Sequence, residues 1–520
     1  MINNLAFRKF SDNLFIFGCF TLSASIPVSK FTTSVSLFLM ALAWLLQWNW
    51  KEKKQQLLSN KKLFIIVTLA YYTFVFGMFY SSDIGYGLKD LKIKIPLFAL
   101  PVLFVTGVQL NKKQVLIALS LMSASAVTAS IIGFINYKLK IGTPEEITNL
   151  RELSPFISHI RLTLLLCFGV GLSVWGVTQL KSKLKFLLIL PVLWIVYFIV
   201  FIGNLTGVII LPLVIFLFIV SYIYRYSKKF AIIGILISVL CIIFSVVQVL
   251  EIYQLVFVSK PVLENKHETK RGNKYTHDLS RKDTENGSLT WSYVCEKELE
   301  EAWDLKSQTK YKSRLNGFPF KDVLIRYLTS KGVHKDYEGV NNLSEKDIKA
   351  IEKGIANVYY IEHNKLLSRL HTTFWELKNL ENSGYVNGSS ITMRFEYWKT
   401  GWQIFRDVPL LGVGTGDIQN EYQKAYKLNK SSLDLKYQRR SHNQYLSILI
   451  SLGAFGLILF LFSVIYPLLK YKGELEFLYL VSVVIFLTSM LWEDTIESQA
   501  GATSFALLIS LFIFSKKTSE

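Results

Sequence analysis

A histidine heads one of the long apolar runs of the chain, in Arg439-Arg440-Ser441-His442-Asn443-Gln444-Tyr445-Leu446. An imidazole takes a proton from a hydroxyl near neutral pH, so His442 at the edge of an apolar span is a candidate general base. Helix capping, or an interfacial hydrogen bond to the loop, is the alternative use for such a residue. Upstream lies Met393-Arg394-Phe395-Glu396-Tyr397-Trp398-Lys399-Thr400-Gly401-Trp402. Arg394, Trp398 and Gly401 share one helical face there, continued by Phe405, so a single guanidinium heads an otherwise packed stripe. A surface salt bridge is the alternative. The glycines that follow, in Leu411-Gly412-Val413-Gly414-Thr415-Gly416, have no strand before them and no Gly-Lys-Ser/Thr after them. A nucleotide-phosphate loop is therefore not expected.

Two more cations stand beside apolar runs. Ser158-His159-Ile160-Arg161-Leu162 sets a permanent charge close to hydrocarbon, where charge is costly and usually functional. A guanidinium binds phosphate oxygens in pairs, so Arg161 suits a lipid diphosphate, with snorkelling to the interface as the other reading. Lys94, in Lys92-Ile93-Lys94-Ile95-Pro96, has the same choice between function and anchoring. Trp492-Glu493-Asp494-Thr495-Ile496-Glu497 supplies three carboxylates on one short connection. They are candidates to orient the arginines, to hold a metal, or to form a solvated turn.

The elements that must position these groups are read from hydropathy. Half the chain is hydrophobic (51%) and 14% is aromatic, and the apolar residues fall in runs of membrane-spanning length. About twelve runs emerge, near residues 13–29, 31–48, 63–80, 95–110, 114–135, 156–178, 186–202, 206–224, 230–250, 443–469, 475–492 and 500–515. The expected fold is an all-α integral membrane protein, with nine spans in residues 1–250 and three in 442–520. The first run passes Ser23-Ala24-Ser25, which resembles a cleavage site, but it is read as a retained span. Between the ninth and tenth spans lies a large, mainly helical loop domain, residues 251–441. Helical patterns there cover Glu296 to Lys310, Ser344 to Tyr360 and Leu366 to Leu380, with starts at Ser292 and Ser344. Lys and Arg crowd the segments that orientation places in the cytoplasm, which sets the loop on the outer face. The same rule accounts for the net charge of +20, so no nucleic-acid partner is expected. Three of the four cysteines, Cys19, Cys167 and Cys241, lie in apolar runs, which gives no disulfide framework.

Taken together, these residues resemble the bacterial O-antigen ligase and O-antigen polymerase superfamily. Its members carry an Arg in the large loop and a His at the head of the next span, which Arg394 and His442 match, as does the Pro-Leu-x-Gly-x-Gly stretch at Pro409. The segment with His159 and Arg161 is similar to the family's other important arginine region. Arg326-Tyr327-Leu328-Thr329 and Glu493-Asp494-Thr495 resemble members of Bacteroidetes type in particular. Many members have a Ser-Arg motif where this chain has Gly203-Asn204-Leu205-Thr206-Gly207, so one expected charge is missing.

The resemblance implies transfer of a glycan from an undecaprenyl diphosphate carrier to an acceptor hydroxyl, on the periplasmic face of the bacterial inner membrane. Lipid A–core is the first acceptor it suggests. Polymerisation of lipid-linked repeats or transfer to protein are the alternatives, and a polysaccharide flippase is the non-enzymatic one. In this scheme His442 is the base, and Arg161 and Arg394 hold the diphosphate with Lys94. His159, Arg326, Glu493 and Asp494 are supporting candidates. Neither metal nor cofactor is required, and displacement opposite the diphosphate inverts the anomeric carbon.

Overall fold

The computed structural model describes residues 5–141, 150–223, 228–258, 267–278, 280–315, 317–383, 387 and 391–516. Each of the twelve apolar runs lies on a helix. The α-helices before the loop are α1 (Leu5–Ser25), α2 (Lys30–Leu46), α3 (Trp50–Ser59), α4 (Lys61–Met78), α5 (Ile84–Lys94), α6 (Pro96–Thr106), α7 (Lys112–Lys140), α8 (His159–Gln179), α9 (Ile189–Ile202), α10 (Leu205–Phe218) and α11 (Lys228–Phe257), of which α3 and α5 lie outside the apolar runs. Among the described residues six helical segments are long and apolar enough to cross a membrane, and the pair α2 and α3, bent by 111°, adds a seventh. The helices Leu205–Ser221, Glu476–Ser489 and Gln499–Phe514 are apolar but shorter. Chain chemistry sets several boundaries. Pro96 opens α6, because a proline loses no hydrogen bond in a first turn, and Asn111 and Gln114 close a reciprocal cap on α7.

The chain divides into two compact units, Met1–Ser238 with Arg394–Glu520, and Val239–Met393. This division differs from a single loop domain over 251–441, since the stretch after Arg394 belongs with the apolar helices. The remaining helices of that unit are α18 (Thr392–Asp407), α19 (Ile418–Leu428), α20 (Gln444–Lys470), α21 (Glu476–Ser489) and α22 (Gln499–Phe514). Its core is formed where α1 packs on α2 and α7, α4 on α20, α6 on α22, and α8 on α10 and α21. Phe15, Phe104, Leu119, Phe168 and Phe505 are among the side chains fully enclosed there.

The Val239–Met393 unit contains α12 (Glu296–Lys306), α13 (Phe320–Lys331), α14 (Tyr337–Asn341), α15 (Glu345–Glu352), α16 (Tyr359–Glu362) and α17 (Lys365–Ser383). Two antiparallel hairpins accompany them, Thr284–Glu285 with Ser288–Leu289 and Arg314–Leu315 with Phe318–Pro319. Trp303, Phe320, Leu324, Tyr327 and Ile351 fill its own core. Ser344 caps α15 in a reciprocal box with Asp347, as its position predicts. The helix expected to start at Ser292 starts instead at Glu296, with Cys295 as its cap residue.

Candidate active site

Three segments far apart in sequence meet at Glu493. Arg394 Nη2, from the first turn of α18, lies 2.9 Å from Glu493 Oε1, and Arg161 Nη1, from the first turn of α8, lies 3.4 Å from Glu493 Oε2. One carboxylate thus holds two guanidinium groups side by side, which overcomes their mutual repulsion at a place where only a strong anion does so. Arg161 is fixed further, Nη2 donating to the Asp494 carbonyl (2.8 Å) and Nη1 to Ser158 Oγ (3.2 Å). Ser158 is also the N-cap of α8. Arg161 Nε is buried and makes no hydrogen bond among the described residues.

His442 stands beside this pair. It is not the helix cap, because Asn443 fills that role, its side chain accepting from the Leu446 amide. The backbone at His442 is left-handed, with φ of +48°, a conformation that costs a side-chain-bearing residue free energy and needs support from its surroundings. That support is visible on both sides. Trp398 Nε1 donates to the Ser441 carbonyl (2.9 Å), and Ser441 Oγ pairs with Ser447 Oγ (2.8 Å), which donates to Asp494 Oδ1 (2.7 Å). Asn443 and Gln444 are tied to the 490–497 segment through Leu491, Met490, Ile496 and Glu497. The imidazole is held below its usual pKa of 6.5 by burial; Asp494 opposes this, while Arg394, Arg439 and Arg161 reinforce it. A neutral imidazole near neutral pH is the form that accepts a proton.

Lys94 is placed differently from the arginines. Its ammonium is fully enclosed, 2.7 Å from both oxygens of Asp90 and 2.8 Å from Glu497. Glu497 also meets Arg440 at 3.5 Å and accepts from Gln444. Burial works to raise the Glu497 pKa, but Lys94 and Arg440 outweigh it and hold the carboxyl well below its usual range. Burial pushes Asp90 up to about 7, with Glu497 adding to the rise. Lys94 therefore braces α5 against the 490–497 segment, and its donors are taken by carboxylates. Among the described residues no group of three or more His, Cys, Asp or Glu is arranged to hold a metal.

The other sequence candidates separate. His159 opens α8, where its carbonyl accepts from Thr163 and from Asn204 Nδ2. Asn204, where the family's charge is missing, caps α10 and bonds Thr163 at 3.0 Å, so it ties α10 to the turn of α8 next to Arg161. Arg326 belongs to the Val239–Met393 unit, where Nε donates to Glu285 (2.6 Å) and the guanidinium lies over Trp375. Buried Glu285 receives Asn357 on its other oxygen, an arrangement that satisfies a core charge. Sequence reasoning missed Arg440, Asp90 and the structural part of Glu497. An unusual cluster of charges beside apolar runs was the only signal for them.

The glycine-rich turn after α18 has a structural use. Val413 and Gly414 amides donate to the Ile450 and Ser451 carbonyls, while Ala454 and Phe455 amides donate to Pro409 and Leu410. The receiving gap is a break in α20 at Gly453, whose φ of +66° and ψ of −172° leave the helix. Asp417 then holds the turn between α4 and α5, accepting from the Ser82 and Asp83 amides at 2.7 Å each.

Residues 354–461 match the family model Wzy_C, described as O-antigen ligase. Comparison with curated proteins gave no match. The matched segment includes Arg394, the 409–416 turn and His442.

Proposed function

Starting from membership of the O-antigen ligase superfamily, and hence from transfer of a lipid-linked glycan, we propose that this chain moves a glycan from undecaprenyl diphosphate to an acceptor hydroxyl on the periplasmic face of the inner membrane. The observation that carries this reading is the pair of guanidinium groups gathered by Glu493 next to His442. A diphosphate offers the same kind of anionic oxygens as that carboxylate. Arg161 stands in the first turn of the apolar helix α8, at headgroup depth in this reading, and Arg394 reaches the same carboxylate from the first turn of the amphipathic α18.

His442 takes the acceptor proton, and the acceptor oxygen attacks the anomeric carbon. The bond from that carbon to the diphosphate breaks, its electron pair leaving with the carrier, and Arg161 and Arg394 stabilise the charge that develops. Attack opposite the leaving group inverts the anomeric carbon, and no step calls on a metal. Lys94 supports the site by holding the 490–497 segment in place. Lipid A–core is the acceptor assigned here.

The test is His442→Ala, measured with purified protein and lipid-linked glycan. Transfer falls about 10² to 10⁴-fold, as for loss of a general base, while donor binding stays near wild type. Normal turnover, or a failure explained by lost donor binding, overturns the base assignment.

A further inference from the structure

We propose that α18 and the turn after it are seated in the lipid bilayer itself, along the boundary between headgroups and hydrocarbon, so the partner of this surface is phospholipid. The first support is the shape of α18. Gly401 is pressed on its neighbours, since a side chain there would meet Tyr422 Oη at 2.2 Å and Ile450 at 2.9 Å. That fixes the rotation of the helix and turns a different stripe outward, Phe395, Lys399, Trp402 and Arg406, all exposed. Aromatic rings alternating with cations along one edge are suited to a membrane interface, with rings in the headgroup region and cations on lipid phosphates.

The second support is depth. Lys470 ends α20 and Lys61 opens α4, both anchors for the same interface. At 1.5 Å per residue the Gly453 break lies roughly 25 Å from Lys470, and Tyr80 roughly 28 Å from Lys61, against a hydrocarbon thickness of about 30 Å. Tyr80 Oη donates to the Leu411 carbonyl (2.6 Å), so both counts give the turn the same level, just inside the far boundary. Leu410 is 72% exposed there, with Leu411, Phe455 and Phe76 exposed around it. Beside them runs an apolar groove of about 210 Å³, lined by Tyr72, Phe76, Tyr80, Leu411, Phe455 and Leu459.

The third support is the backbone. The Pro409, Leu410 and Leu411 carbonyls and the Gly412, Val413 and Gly414 amides are all bonded to protein. Irregular chain in contact with lipid needs such partners, whereas a loop in water does not. Continuity with the lipid-facing sides of α4 and α20 argues for bilayer rather than for a protein partner.

The proposal is independent of the transfer reaction and is tested by depth measurement. In a full-length chain with its cysteines replaced by serine, Leu410→Cys, Trp402→Cys and Lys424→Cys are each labelled with a nitroxide. The proteins are reconstituted in vesicles of phosphatidylcholine and phosphatidylglycerol. Collision rates with oxygen and with a water-soluble nickel chelate are then compared. The label at 410 is expected to favour oxygen at least several-fold over the label at 424, with 402 between them. Nickel access at 410 equal to that at 424 overturns the proposal. So does shielding of 410 from both reagents, which means a protein covers it. Size-exclusion profiles matching the unlabelled chain establish that the variants are folded.

Discussion

At the scale of single residues, Arg161 and Lys94 look alike in sequence and differ in the folded site. Arg161 presents its guanidinium to Glu493 with Nε unpaired among the described residues, while the Lys94 ammonium is held by the enclosed carboxylates of Asp90 and Glu497 and lies over the Phe74 ring. Lys94→Met should leave Asp90 without a cation beside a Glu497 held by Arg440 alone, at a cost of about 3–5 kcal/mol. A marked fall in Tm in detergent is the expected result. Arg161→Lys should keep Tm near wild type and still lose most transfer, because one ammonium cannot make a paired contact with phosphate. Transfer at the wild-type rate by that variant would assign Arg161 to anchoring. The same scale sets a pH prediction. His442 is held below 6.5 by burial and by Arg394, Arg439 and Arg161 against Asp494, so its neutral, proton-accepting form persists as pH falls through 6.5. The acid limb of the kcat profile should therefore lie below pH 6.5. Arg439→Gln removes one lowering charge and should move that limb upward; a limb that does not move assigns the titration to another group. Arg161 and His442 stood out in the sequence as polar groups at the edge of apolar runs, where charge is costly, and Arg394 as the lone guanidinium on a packed helical face. Arg440, Asp90 and Glu497 did not, because no spacing reveals that residues 83–94 and 490–498 fold to the same place.

At the scale of elements, the feature that joins the site to its scaffold is the turn threaded through the break in α20. Two glycines face each other across it. Gly412 has φ of +71° and a side chain there would meet the Ile450 carbonyl at 2.5 Å, while one at Gly453 would meet the Leu410 carbonyl at 2.1 Å. Gly453→Ala must strain a left-handed position and displace backbone together. It should lower Tm and transfer jointly, whereas Gly85→Ala, where a side chain would come no nearer than 3.6 Å to a neighbour, should change neither; an unperturbed Gly453→Ala protein would mean that the break relaxes without the turn. The apolar helices were readable from hydropathy, and the start of α15 from the capping chemistry of Ser344. The break was not. Gly453 sits in an apolar run of ordinary composition, and its partner turn, rich in glycine, reads in isolation as a phosphate loop without the rest of its motif.

At the scale of the whole molecule, the two-unit division shows what hydropathy omits. A polar stretch between two apolar ones reads as one loop, yet the part from Arg394 on groups with the apolar helices, and its 409–415 turn is hydrogen-bonded to α4 and α20. The Val239–Met393 unit, by contrast, has a core of its own, as its mixed helical patterns predict. Its side of the membrane is open to direct measurement. Glu345, whose side chain is 93% exposed, is replaced by cysteine, and intact spheroplasts are treated with a membrane-impermeant maleimide. Labelling without permeabilisation is expected, and labelling only after permeabilisation would reverse both the topology and the access of donor to the site.

The meeting of Arg161, Arg394 and Glu493 also has a consequence in time. The ribosome delivers these residues in that order, and the carboxylate that gathers the two guanidinium groups is the last to emerge. Until residue 493 has been made, the arginines have no common anchor and repel one another, and His442 lacks the Asp494 network that supports its strained backbone. A nascent chain stalled before that point therefore carries Arg161, Arg394 and His442 without the carboxylates that bring them together.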